Sequence, residues 1–324
     1  MRDIGLVGVP FSGKSTLFTA LTRHGATGGR ANQAVVPVPD PRLGVLAEIE
    51  RSQKVVPAQI RFVDAPGATG SAQGVAALRE VDALCAVIRC FGPDARPKAE
   101  LATVRADLLL ADLEVVGSAL AKAEKRGRGK ETDEAAALRR AQGALSAEKA
   151  LREAGLAPED GGHLRALAPL TLKPLVVVAN LEEGADVPAE LGDATGVYAA
   201  IEAETLDMPE EEARALLEDF GVAEPGLEKV IAACYRALDL ITFLTTGEDE
   251  TRAWEVRRGA AAPEAAGAIH TDFEHGFIRA EVVRYDDLVE CGGWNTAKHK
   301  GLLRIEGKDY RVQEGDVLHV RFAV

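Results

Sequence analysis

The chain has 324 residues and a formal net charge of −13; 47% of its residues are hydrophobic, 27% charged and only 5% aromatic. That length gives room for two or three domains with aliphatic cores. The wholly apolar runs are as short as residues 175–179, which excludes a membrane-spanning helix, and the acidic balance repels nucleic acid except at a local basic patch, so no DNA partner is expected.

Residues 3–7 (Asp-Ile-Gly-Leu-Val) read as a short apolar strand with no apolar leader before it. The strand runs into Gly8-Val9-Pro10-Phe11-Ser12-Gly13-Lys14-Ser15-Thr16, which fits the phosphate-binding pattern G-x-x-x-x-G-K-S. Each fixed position has a physical task. Gly8 and Gly13 let the backbone curl so that successive N–H groups point at phosphate oxygens. Lys14 brings a point charge to the outer phosphates, and Ser15 offers a hydroxyl to Mg²⁺. Residues 15–21 read as a helix whose positive N-terminus faces the anion.

Residues 23–32 are Gly-rich and polar, in the place of a first switch. Paired prolines make residues 35–43 extended chain and a turn, and a short helix follows at 43–51. Residues 59–64 alternate and deliver Asp64 to the pocket. Asp64-Ala65-Pro66-Gly67 is D-x-x-G, whose Asp reaches Mg²⁺, usually through water, and whose Gly N–H reaches the γ-phosphate. Residues 82–90 read as a buried parallel strand.

The period then becomes helical. Leu101, Val104, Leu108, Ala111 and Val115 predict a coiled-coil-like seam over 100–126. Gly127 and Gly129 break it, and residues 131–153 resume with Leu138, Ala141, Leu145 and Leu151. The expectation is an inserted antiparallel helical hairpin. Its tip collects Lys122, Lys125, Arg126, Arg128 and Lys130, with Arg139 and Arg140 following, and is the candidate RNA-facing patch. Residues 173–180 return to the sheet as a strand ending on Asn180, with a last strand near 196–200 and helices over 210–220 and 226–239.

Asn180-Leu181-Glu182-Glu183 occupies the place of the guanine-reading N-K-x-D. Leu181 stands for Lys and Glu183 for Asp. The extra methylene moves the carboxylate by more than about an ångström, enough to spoil a paired hydrogen bond to guanine. From about residue 241 the pattern turns to mixed strands and turns. Residues 301–312 predict a hairpin turning at Gly307, and residues 315–322 a final strand. His270, Asp272 and His275 lack the spacing of a closed zinc set. Cys85, Cys90, Cys234 and Cys291 show no C-x-x-C spacing, so reduced thiols in a cytoplasmic protein are expected.

On these motifs the chain resembles the YchF-type Obg-like ATPases, P-loop proteins of the translation-factor class. The likeness rests on the P-loop, Val36–Leu43, Phe62-Val63-Asp64, the N-x-x-E of Asn180 and Glu183, residues 201–204, and the C-terminal runs 268–274, 276–281 and 307–310. It implies an α/β fold: a P-loop NTPase of the Ras/Obg-like G-domain type, with an inserted α-helical hairpin and a C-terminal β-grasp (TGS) domain. The implied domains are 1–98 and 166–240 for nucleotide binding, 99–165 for the hairpin and 241–324 for the TGS module.

The resemblance implies ATP preferred over GTP, Mg²⁺ as cofactor, and a ribosome or rRNA partner reached through the hairpin tip and the TGS domain, with Arg279 and Arg284 adding charge there. Nucleotide contacts are expected from Gly8, Pro10, Phe11, Ser12, Gly13, Lys14, Ser15, Thr16, Asn180, Leu181, Glu183 and Ala199. Ser15 and Asp64 are the metal positions, and Lys14, Asp64 and Gly67 the catalytic ones.

Four departures stand out. Phe11-Ser12 replaces the family's usual Asn-Val. The first switch is shorter, with Thr27 a poor stand-in for its Thr. The second switch is clipped to residues 68–74, with Ala68 at the water-positioning place and Gln73 nearby. The Ser-Ala-Lys-like turn becomes Tyr198-Ala199-Ala200. Slow hydrolysis is therefore expected; the alternatives are a nucleotide-dependent adapter that hydrolyses little, or an Obg-class GTP-binding protein.

Overall fold

A computed structural model describes residues 1–23, 32–65, 68–128, 130–206, 208–222 and 225–323. Their strands, in chain order, are β1 (Arg2–Val7), β2 (Gln33–Pro37), β3 (Lys54–Val56), β4 (Gln59–Asp64), β5 (Ala83–Cys90), β6 (Leu175–Leu181), β7 (Thr195–Val197), β8 (Leu240–Thr245), β9 (Glu250–Arg257), β10 (Phe277–Arg284), β11 (Arg304–Glu306) and β12 (Asp316–Phe322). Two compact units form: Met1–Val36 with Ile60–Ala237, and Pro37–Gln59 with Leu238–Val324.

The first unit is built on a six-stranded sheet in the order β2-β4-β1-β5-β6-β7. β1 lies parallel to both β4 and β5, β5 parallel to β6, and β6 parallel to β7. Parallel neighbours need crossovers; helices Lys14–Arg23, Ala72–Glu80 and Pro97–Gly127 lie in these connections, and helix Ala199–Thr205 follows β7, the last strand of the sheet in chain order. Both faces are then covered, which is why the first six residues of β5 are all apolar and buried. The register brings Leu6 beside Asp64 and Arg89 beside Asn180. The loop after β1, the end of β4 and the end of β6 therefore converge at one edge of the sheet, where ligands bind in open α/β folds.

The hairpin insertion forms as helices Pro97–Gly127 and Asp133–Ser146. The break is sharp because Arg128 turns left-handed (φ 48°) and Thr132 caps the second helix, its hydroxyl accepting from Ala135 N at 3.2 Å. Two details differ from the sequence expectation. The buried seam runs Leu101, Val104, Leu108, Asp112, Val116, Leu120, Ala123 rather than through Ala111 and Val115. A straight helix follows 3.6-residue spacing, so successive steps of four carry the seam onto Asp112. The second helix stops at Ser146, and Leu151 is buried from a separate short turn, Leu151–Glu153.

Asp112 is tolerated at 0% exposure because its carboxylate accepts four hydrogen bonds. The donors are Leu170 N (2.9 Å), Thr171 N (2.7 Å), Thr171 Oγ1 (2.7 Å) and Arg79 Nη1 (3.0 Å). This one acid fastens the hairpin helix to the chain that returns toward β6.

The second unit carries the other sheet, in the order β11-β10-β12-β8-β9-β3. β8 and β9 form an antiparallel hairpin, helix Ala262–Ile269 covers one face, and β12 returns parallel to β8, the β-grasp arrangement. The alanine face of that helix (Ala262, Ala265, Ala266) is fully buried against Phe243, Val282 and Leu318. Pro37–Gln59, expected within the nucleotide domain, belongs to this unit instead. β3 extends the sheet in parallel register with β9, Lys54 beside Glu250, and helix Arg42–Glu50 is held by Arg42 pairing with Asp40 and Glu314, each at 2.7 Å. The expected 301–312 hairpin does not form. β11 pairs with β10, and Arg311 bridges to Ala261, because Tyr310 turns inward to donate to buried Asp316 at 2.6 Å. No helix among the described residues is long and apolar enough to cross a membrane.

Candidate nucleotide-binding site

The loop between β1 and helix Lys14–Arg23 adopts the curl its glycines allow. A Cβ on Gly8 would lie 2.5 Å from Val87 O and 2.7 Å from Ser12 Oγ. Gly13 has φ 89°, and a Cβ there would lie 2.0 Å from Asn180 Nδ2. Leu17 N donates to Gly13 O at 2.9 Å, so the helix starts directly from the loop. Ser15 and Thr16 are exposed at that first turn, and Pro10 is exposed at the loop crest.

Lys14 curls over the loop, its Nζ donating to Gly8 O at 2.9 Å and Val9 O at 3.4 Å. Burial lowers its pKa, and the Asp64 charge opposes that shift. Burial likewise raises the Asp64 carboxyl, with Lys14 opposing. Each is therefore a partly desolvated charge in the other's field, and each stands to gain when ions of opposite sign arrive.

Asn180, at 5% exposure, braces the site. Its Nδ2 donates to Ser12 O at 3.2 Å, and its Oδ1 accepts from Ala199 N at 3.3 Å. One side chain thus joins the P-loop to the turn after β7. That turn is fixed from below by Glu202, which is buried and accepts from Tyr198 N (2.9 Å), Gly226 N (2.8 Å) and Leu227 N (2.8 Å). Sequence reasoning gave Glu202 no role; the available signal was an acid in the first turn of helix Ala199–Thr205, where it can reach back to the capping amide.

Several expected contacts are placed differently. Leu181 is 7% exposed and packs into the core beside Val187, because an apolar side chain at this position can turn inward where a lysine could not. Ala199 is fully buried and its amide is taken by Asn180. The Ser12 side chain is fully buried, its Oγ without a partner among the described residues, so it presents no hydroxyl to a ligand. Phe11 is 87% exposed with φ 64°. Glu183 is exposed, while Glu182 accepts from Gly92 N at 3.4 Å. Gly67 and Thr27 lie outside the described residues.

A phosphate-binding loop between the first strand and first helix, an acid ending the adjacent parallel strand and an asparagine bracing the loop from β6 define the class: a P-loop NTPase with a G-domain core. The comparisons agree. A family model described as "50S ribosome-binding GTPase" matches residues 3–116. The model for the C-terminal domain of YchF-type GTPases, described as "Protein of unknown function (DUF933)", matches residues 240–323. The "Ribosome-binding ATPase YchF" of Haemophilus ducreyi is 40% identical over 358 residues, covering 99% of each chain. That of Bacillus subtilis is 38% identical over 366 residues, again covering 99% of each. The solved Schizosaccharomyces pombe YchF GTPase superposes with a TM-score of 0.88 at 28% identity, covering 99% of this chain and 97% of that one. The chain belongs to the YchF family. Since 358 aligned positions exceed its 324 residues, at least 34 of them face gaps in this chain.

Proposed function

We propose that the chain is a Mg²⁺-dependent ATPase of low intrinsic rate that works on the ribosome in the cytoplasm. The observation that carries the nucleotide part is the loop itself, with Lys14 held over the Gly8 and Val9 carbonyls beside Asp64. On nucleotide arrival the Lys14 ammonium exchanges those carbonyls for phosphate oxygens, and the amides of the loop and first helical turn take the remaining ones. Ser15 and Asp64 offer a hydroxyl and a carboxylate, hard oxygen donors of the kind Mg²⁺ takes, and the desolvated Asp64 carboxylate gains most from a divalent neighbour. When bound, Mg²⁺ neutralises charge on the phosphates.

Base choice follows from position 183. Glu183 is exposed and one methylene longer than the aspartate whose paired contact selects guanine, which supports adenine. The names of the bacterial relatives, "Ribosome-binding ATPase", support both halves of the reading, while the fission-yeast protein is named a GTPase. A side-by-side titration with ATP and GTP, with Mg²⁺ and with EDTA, tests it. ATP is expected to bind at least tenfold more tightly than GTP, EDTA to weaken binding, and Lys14→Ala to abolish ADP formation. Equal affinity for the two nucleotides overturns the ATP assignment, and turnover above about 1 s⁻¹ without a partner overturns the slow rate.

A further inference from the structure

We propose that Thr69 and Asp107 form a latch through which the hairpin helix Pro97–Gly127 positions the segment downstream of Asp64 for nucleotide hydrolysis; this rests on the nucleotide reading above. Asp64 ends β4, and Thr69 follows five residues later in the short turn Ala68–Gly70. The Thr69 hydroxyl donates to Asp107 Oδ2 at 2.9 Å. At the far end of the same segment, helix Ala72–Glu80 closes with Arg79, which donates to Asp112 Oδ1 (3.0 Å), Ala111 O (2.9 Å) and Ala168 O (3.1 Å). The segment is therefore tied at both ends to acids five residues apart on one helix, a separation of about 7.5 Å along its axis.

The two ties differ in kind. Asp112 is wholly buried and already holds Leu170 and Thr171, so releasing Arg79 would strand a buried charge. Thr69 and Asp107 are half-exposed and share one hydrogen bond that water can replace. Between the ties the helices do not close on each other. A groove of about 520 Å³ separates them, lined by Thr69, Val75, Arg79, Asp107, Leu110 and Ala111, with Leu110 63% exposed. Arg79 is thus the pivot and Thr69 the end that lets go. A displacement of the hairpin helix changes the anchoring of the chain beside the phosphate site while the packed core stays intact. Thr69 touches no reacting atom; it is a positioning residue, and the hairpin is its input.

The test uses the full chain. Thr69→Val removes the hydroxyl at nearly constant shape, and Thr69→Ser keeps it. Thr69→Val is expected to lower kcat for ATP at least fivefold with KM within twofold, and Thr69→Ser to stay within twofold of the parent. An unchanged kcat, a matching rise in KM, or failure of the serine variant to retain activity overturns the latch. Hydrogen exchange on the nucleotide-free protein gives a second readout. Thr69→Val is expected to speed exchange of amides 74–76 and leave 78–80 unchanged; acceleration across the whole helix, or none, overturns the latch. If the parent chain forms no ADP at all, the proposed function fails, and the exchange pattern alone decides the latch.

Discussion

At the scale of single residues the P-loop carries two costs. Phe11 holds φ 64°, a left-handed conformation that a bulky L-residue adopts at a cost of about 1–2 kcal/mol. Its ring is 87% exposed, so it recovers little by burial. Asparagine, which the resembling family usually has at this position, tolerates the same backbone. Phe11→Asn is therefore expected to stabilise the nucleotide-free chain by about 1 kcal/mol, a rise in Tm of about 2–4 °C by thermal melting. No change, or a fall, would mean that the ring makes a compensating contact. Ser12 adds the second cost: a fully buried hydroxyl without a partner among the described residues. These two positions form the P-loop departure from the family pattern, but only the backbone angle and the burial say what it costs.

At the scale of elements, the hairpin is fixed through Asp112. Sequence periodicity indicates both helices, though it carries the second past Ser146, and it misses Asp112 because a charged side chain on a seam reads as a pattern break. It is buried only because amides 170 and 171 and the Arg79 guanidinium converge on it from distant parts of the chain. Asp112→Ala leaves those donors unpaired and is expected to destabilise the chain by about 3–5 kcal/mol in chemical unfolding, with the loss seen first as faster hydrogen exchange in residues 168–173. A loss below about 1 kcal/mol would show that water replaces the carboxylate. The β-grasp unit gives the opposite lesson. The 301–312 stretch has good local hairpin chemistry, yet the Tyr310 hydroxyl bonding to buried Asp316 takes the chain elsewhere. Long-range pairing outweighed a local turn signal.

At the scale of the whole molecule, a net charge of −13 must coexist with the proposed binding to a ribosome. The hairpin tip is the local exception: residues 122–140 hold seven basic and four acidic residues, a net of +3. The structure divides them. Arg126 pairs with Glu134 (2.8 Å), Arg139 with Glu124 (2.8 Å) and Glu131 (2.6 Å), and Arg140 with Asp160. Lys122, Lys125, Arg128 and Lys130 are exposed. Reversing Lys122, Lys125 and Arg128 to Glu is expected to cut co-sedimentation with ribosomes at low salt by tenfold or more and to leave the ATP affinity unchanged. Unchanged co-sedimentation removes the tip from the ribosome reading. Reversal of Arg139 alone is expected to act more through the stability of the tip than through binding, since its partners are its own neighbours.

The phosphate loop, the strand-borne Asp64, the hairpin insertion and the strand-rich C-terminal module are legible without coordinates, because each is written in short-range spacing: glycine offsets, period-two strands, period-3.6 helices. The tertiary structure decided what neighbours in space decide. It turned Leu181 into the core, made Asn180 a brace between Ser12 and Ala199, buried Asp112 and Glu202 among amides from other segments, and moved Pro37–Gln59 into the C-terminal unit through the pairing of β3 with β9. Polar groups can be buried only where partners converge, and the sequence does not state where distant partners meet.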